Sequence, residues 1–99
     1  MMEVQFRTKA LQRLETDPDY SGGYPEAVVT SYRKRIWVIR AAPDERVFYE
    51  MKSLHFEKLK GNRSHQYSMR LNDQWRLILE FEGKAQSKTA IIISIEDYH

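Results

Sequence analysis

Tyr67-Ser68-Met69-Arg70-Leu71-Asn72-Asp73-Gln74-Trp75-Arg76-Leu77-Ile78-Leu79-Glu80-Phe81-Glu82 is the stretch that decides the fold. Tyr67, Met69 and Leu71 alternate with Ser68 and Arg70, and Trp75, Leu77, Leu79 and Phe81 alternate with Arg76, Ile78 and Glu80. A period of two with one apolar face predicts two antiparallel strands covered on one side. Residues 72–74 join them as a turn. A three-residue loop sets Leu71 opposite Trp75, Met69 opposite Leu77 and Tyr67 opposite Leu79, all apolar on one side. A two-residue loop would set apolar side chains against polar ones, so the pattern itself selects the register. The same register sets Arg70 opposite Arg76 on the other side. Like charges directly opposite each other are destabilising by roughly 0.2–1 kcal/mol. A chain tolerates that where a carboxylate or another anion lies between them. Two accounts stand: Glu80 or Glu96 neutralises the pair, or the pair is a phosphate site, for which the planar guanidinium fork is suited.

Working outward, Ile91, Ile93 and Ile95 alternate with Ile92, Ser94 and Glu96, which predicts a third strand with Ile91, Ile93 and Ile95 on its apolar face. Upstream, Val4 and Phe6 alternate with Glu3 and Gln5 as a short first strand. Thr8 caps a helix running to about Thr16, with Ala10, Leu11 and Leu14 on one side. Asp17-Pro18-Asp19 ends it, and residues 20–24 form a connector. Pro25 and Glu26 suit the first turn of a long helix. Val28, Tyr32, Ile36 and Ile39 recur in it at helical spacing, and Ala41-Ala42-Pro43 closes it. Arg33, Lys34, Arg35 and Arg40 fall mostly on its other faces, and Arg33, Lys34 and Arg35 read as a solvated face. Residues 44–59 have no clear period, although residues 46–49 fit a turn of helix. The expected fold is α+β: an N-terminal strand and two helices packed on a mainly antiparallel sheet, in the order β-α-α-β-β-β.

The chain has 99 residues, which predicts one domain spanning 1–99 with one modest core. Its 41% hydrophobic content, two Trp, six Tyr and four Phe argue for a folded protein. Formal net charge is only +2, but its distribution is uneven. From Lys58 to Arg76 stand Lys58, Lys60, Arg63, Arg70 and Arg76 against Asp73 alone, which points to an anionic partner. There is no cysteine, so disulfide and thiolate chemistry are excluded. No leader segment is read at the N-terminus and no run is long enough to span a membrane, so a cytoplasmic protein with no membrane partner is expected. His55, His65 and His99 show no metal-ligand spacing, so neither a metal nor a cofactor is expected.

Three segments together carry a family resemblance: Leu59-Lys60-Gly61-Asn62-Arg63, then residues 67–77, then Glu96-Asp97-Tyr98-His99. With them the chain resembles HigB-type toxins of the RelE/ParE superfamily. The resemblance implies a RelE-like fold and the toxin of a type II toxin–antitoxin system. Its activity would be a ribosome-dependent endoribonuclease, an mRNA interferase that cuts mRNA in the decoding site and inhibits translation. It implies as partners the ribosome, mRNA and a HigA-like helix-turn-helix antitoxin, with operator DNA reached through the antitoxin. The family's basic loop corresponds to Lys60 and Arg63, its arginine after the tryptophan to Arg76, and its terminal triplet to Asp97, Tyr98 and His99. Some members carry histidine where this chain has Glu57, and others glutamate. His55 is two residues out of that register.

RNA can be cut without a metal: a base takes the 2′-hydroxyl proton, the oxygen attacks phosphorus, and an acid protonates the leaving 5′-oxygen. Under the resemblance the proton-transfer candidates are His99, whose imidazole titrates nearest neutrality, and Glu57. Arg76 is the candidate for transition-state charge. Asp97 positions, Tyr98 stacks on a base or orients phosphate, and Lys60, Arg63 and Arg70 hold RNA backbone. Each also has an ordinary reading: a solvated basic face for Lys60, Arg63 and Arg70, surface acids for Glu57 and Asp97, edge packing for Tyr98, a loose end for His99. Two other functions fit the same fold: a ParE-like poison of DNA gyrase, and an RNA-binding module without catalysis.

Overall fold

The computed structural model describes residues 2–84 and 87–97. The expected order is found, with additions. Strand β1 is Glu3–Phe6, helix α1 Lys9–Thr16 and helix α2 Glu26–Ala41. A short helix α3 (Arg46–Glu50), a 3-10 turn (Lys52–Leu54) and a two-residue strand β2 (Glu57–Lys58) fill the stretch that had no period. A second 3-10 turn (Gly61–Arg63) precedes β3 (Tyr67–Arg70), β4 (Trp75–Glu82) and β5 (Thr89–Asp97). The sheet runs β1-β5-β4-β3-β2, all antiparallel except the outer pair, in which β1 lies parallel to β5.

Local chemistry explains the elements. Thr8 Oγ1 accepts from Leu11 N at 3.2 Å and caps α1. The stripe of α2 — Val28, Tyr32, Ile36 and Ile39 — is fully buried. It shares the core with Met69, Leu77, Leu79 and Ile92 from the sheet. The β3–β4 register is the one that the apolar pattern selects: Tyr67 faces Leu79, Met69 faces Leu77 and Arg70 faces Arg76. Asn72 Oδ1 accepts from the backbone N–H groups of Gln74 (2.9 Å) and Trp75 (2.8 Å), which holds the three-residue loop.

Two readings need correction. The apolar face of β5 is not Ile91, Ile93 and Ile95. A register shift at Ile78/Leu79 pairs Ile78 with Ser94 but Leu79 with Ile92, so Ala90 and Ile92 enter the core before the irregularity and Ile95 after it. A bulge reverses the parity of a strand, and three consecutive isoleucines conceal the reversal. The arginines of α2 are not a solvated face either. Arg33 donates to the carbonyls of Leu14, Asp17 and Tyr20, binding the end of α1 and its connector. Arg35 Nε donates to Arg70 O at 3.0 Å, and Arg40 grips both Glu15 oxygens at 2.7 and 2.8 Å. Helical periodicity assigns a side chain to a face but does not show how far a long one reaches.

Candidate active site

Helices cover one face of the sheet, and the other carries the polar row. Arg70, Arg76 and Glu96 stand side by side across β3, β4 and β5, and Glu57, Ser68, Ile78 and Ser94 form the next row. The basic loop folds over these rows. Gly61 turns it at φ 69°, a left-handed backbone suited to glycine, and Leu59 N donates to Gln66 O at 2.9 Å to close it. Ser68 and Ile78 are consequently buried although they point away from the main core.

A cavity of about 230 Å³ results, lined by Glu57, Leu59, Arg63, Ser68, Arg76, Ile78, Glu96 and Asp97. Small-molecule sites typically hold ~300–1,000 Å³. This one is smaller than a cleft that engulfs a whole metabolite. A neighbouring concavity lined by Thr8, Leu11, Tyr20, Tyr24 and Ile93 contains no carboxylate, imidazole or cation. Among the described residues no group of three His, Cys, Asp or Glu side chains is placed to hold a metal ion.

Of the residues singled out by sequence, Glu57, Arg63, Arg76 and Asp97 come together in this cavity. Glu57 is exposed on β2, opposite Ser68. Arg76 Nη1 is out of solvent contact. Asp97 Oδ2 accepts from Gln74 Nε2 at 3.0 Å, which ties the end of β5 to the hairpin loop. Lys60 is exposed on the loop, at the start of its 3-10 turn. Arg70 shares the face but is turned to the hairpin, where Nη2 is bonded to Asp73 and Nη1 lies 3.4 Å from His55 Nε2. Tyr98 and His99 lie outside the described residues.

Neither carboxylate first considered for the arginine pair is bonded to Arg70. Glu80 Oε2 accepts from Gln66 Nε2 at 3.0 Å. Glu96 takes Arg63 through both oxygens, at 3.1 and 2.8 Å. That bond, then burial, then the Ser94 hydroxyl act on the Glu96 carboxyl, and the net effect holds it below the ordinary glutamate range.

Sequence reasoning offered Glu96 only as a neutraliser of the arginine pair and His55 only as out of register, and it gave Gln66 no role. The register that pairs Arg70 with Arg76 extends to Glu96 only through the β5 bulge, which the isoleucine run hides. Gln66 is buried, joining Arg63 to Glu80. His55 has a positive φ of 47°, and no periodicity signals that.

The family model of the HigB-like toxin, described as the RelE-like toxin of the type II toxin–antitoxin system HigB, matches residues 4–99. No curated protein is a significant match in sequence. Among solved structures, a YoeB/ParE toxin from Agrobacterium tumefaciens is similar at 14% identity and a TM-score of 0.61, covering 99% of this chain and 100% of that one. The YoeB dimer from Staphylococcus aureus is similar at 19% identity and a TM-score of 0.53, over 99% of this chain and 97% of that one. The conserved hypothetical protein HP0894 from Helicobacter pylori is 15% identical with a TM-score of 0.51, over 98% and 94% of the two chains. At these identities the likeness is one of fold.

Proposed function

The chain belongs to the HigB-like toxins, RelE-like toxins of type II toxin–antitoxin systems, and on that premise we propose that it is a ribosome-dependent endoribonuclease that cuts mRNA. The observation that carries the reading is the convergence of Glu57, Arg63, Arg76 and Asp97, from separate segments, in one cavity.

In this reading Glu57 takes the proton of the 2′-hydroxyl as its oxygen bonds to phosphorus. The bond from phosphorus to the 5′-oxygen breaks, and His99 protonates the leaving oxygen. The products are a 2′,3′-cyclic phosphate and a 5′-hydroxyl. Positioned acid–base groups contribute typically about 10²–10⁴-fold. Arg76 stabilises the charge that builds on the phosphoryl oxygens, and a partly dehydrated guanidinium does so more strongly than one in water. Asp97 holds the hairpin against the end of β5. Tyr98 stacks on a base or orients the phosphate, and Lys60, Arg63 and Arg70 hold the RNA backbone. The ribosome supplies pre-orientation of the mRNA, so a small cavity suffices. The toxin family implies an antitoxin partner. Here that partner is taken to be a HigA-like helix-turn-helix protein, through which the pair reaches operator DNA, and the site of action is the cytoplasm. No described helix is long and apolar enough to cross a membrane.

The test is induction in cells without antitoxin, with mRNA 5′ ends mapped beside an Arg76→Ala, His99→Ala double variant. Cuts inside translated codons that vanish in the variant are expected. Growth arrest with intact mRNA would instead favour a gyrase poison. RNA binding with neither arrest nor cuts would leave a binding module.

A further inference from the structure

Arg63 has three of its N–H donors engaged inside the cavity wall. Nε donates to Gln66 Oε1 at 2.9 Å, Nη1 to Glu96 Oε1 at 3.1 Å and Nη2 to Glu96 Oε2 at 2.8 Å. Gln66 is itself buried and anchored behind, donating to Glu80 Oε2 at 3.0 Å. Glu96 Oε2 also accepts from Ser94 Oγ at 2.8 Å. A guanidinium meeting two oxygens in a fork is the geometry by which arginine grips a phosphate. Glu96 thus occupies on Arg63 the position that a phosphate oxygen pair would take. It does so inside the cavity, directly across the strands from Arg76.

A carboxylate here either builds the wall or competes with substrate. Exposure decides between the two. The Arg63 and Glu96 side chains are 44% and 39% exposed, and an ion pair so wetted is held weakly and screened by salt. A phosphodiester can therefore take its place. The bond from Nε to buried Gln66 does not depend on Glu96, so Arg63 stays aimed when the carboxylate leaves.

We propose that Glu96 is a latch, a resident anion that occupies Arg63 in the free protein and yields it to a phosphate of bound RNA. The latch makes Glu96 a specificity-determining residue: an isolated phosphate competes with it poorly, whereas a strand held at several points displaces it. This rests on the reading of the cavity as an RNA site.

The probe is a 2′-O-methylated oligoribonucleotide, which binds without being cut, with affinity followed by fluorescence anisotropy over a salt series. Glu96→Gln removes the charge and keeps an oxygen acceptor. At low salt its affinity should rise roughly three- to tenfold with the slope of log K against log salt little changed, because Arg63 meets a phosphate in both complexes, whereas Arg63→Gln should flatten that slope by about 0.7, one phosphate contact on a single strand. In an Arg63→Gln background the Glu96→Gln change should produce no gain. In the unaltered protein, the guanidinium nitrogen resonances of Arg63 should move as probe is added, and this measurement decides alone if Glu96→Gln fails to fold. Weaker binding would make Glu96 a wall that only positions Arg63, and would overturn the latch. An equal gain in both backgrounds would overturn it too, as mere charge removal, and so would no change, including no binding by any form. Cleavage does not enter the measurement. A protein that never cuts mRNA but binds the probe as expected loses the proposed function and keeps the latch. One that cuts but shows no gain does the reverse.

Discussion

Arg70 and Arg76 face each other across β3 and β4, yet their surroundings differ. Arg70 is compensated by Asp73 in the adjoining loop, whereas Arg76 lines the cavity with Nη1 shut off from solvent. A guanidinium screened from water stabilises developing charge better than one beside a solvated carboxylate. Arg76→Lys keeps the charge but loses the planar fork, so cleavage of ribosome-bound mRNA should fall roughly 10²-fold. Arg70→Lys should cost less than about tenfold, as expected of a backbone contact. Cleavage rates on programmed ribosomes give the order, and the reverse order would move the transition-state role to Arg70. Tyr32 lies outside the cavity lining. Its ring is fully buried and its hydroxyl donates to Leu11 O at 2.8 Å, joining α2 to α1. Tyr32→Phe should lower the unfolding free energy by about 1 kcal/mol in urea titrations, with cleavage unchanged.

The β3–β4 hairpin, α1 and α2 were legible in the sequence because each repeats its period long enough to state a face. Residues 44–59 were not, because α3 and β2 are too short to have a period. They are held by side chains that meet only in three dimensions. Phe56 packs on Phe48 (centroids 5.3 Å apart), Tyr49 (4.8 Å), Tyr67 (5.3 Å) and Phe81 (6.2 Å). That cluster sets the position of β2, and with it Glu57. The site was half legible for the same reason. Arg76 and Arg63 could be found from register and loop composition, but Glu96 depended on a bulge and Gln66 on a loop fold. Phe56→Ala should cost about 3–5 kcal/mol if the gap does not collapse. Its sharper sign is local. The Leu59 amide, which closes the basic loop on Gln66, should lose hydrogen-exchange protection more than Met69 or Leu77 does. Equal loss at all three would mean that the cluster supports the whole sheet and not this edge.

The layering separates the core that holds the molecule from the proposed site. Helices and core lie on one face of β1-β5-β4-β3-β2, and the cavity lies on the other, built from β2, the basic loop, β4 and β5. Carboxyls and a buried phenol act on stability from opposite ends of the pH scale. Asp44 is held down at about 2, first by the Arg46 side chain and then by the Arg46 backbone N–H, and Glu96 is held below its ordinary range first by Arg63. A carboxyl with a depressed folded pKa stabilises fully above its unfolded value, and that contribution disappears as pH falls through the folded value. Thermal midpoints should therefore decline from about pH 4.5 downward, modestly, since these pairs are largely exposed. Tyr32 behaves oppositely. Burial first, then the Glu15 charge, pushes its phenol well above the ordinary tyrosine value, so its contribution is whole below about pH 10 and is lost as pH rises through the folded value. In Tyr32→Phe the alkaline decline should become shallower while the acid decline stays. In Glu96→Gln the acid decline should become shallower while the alkaline one stays. Thermal scans from pH 2 to 11 on the three proteins separate these limbs. If either substitution flattened both limbs, the two faces would be coupled through the sheet, and the independence of core and site would be wrong.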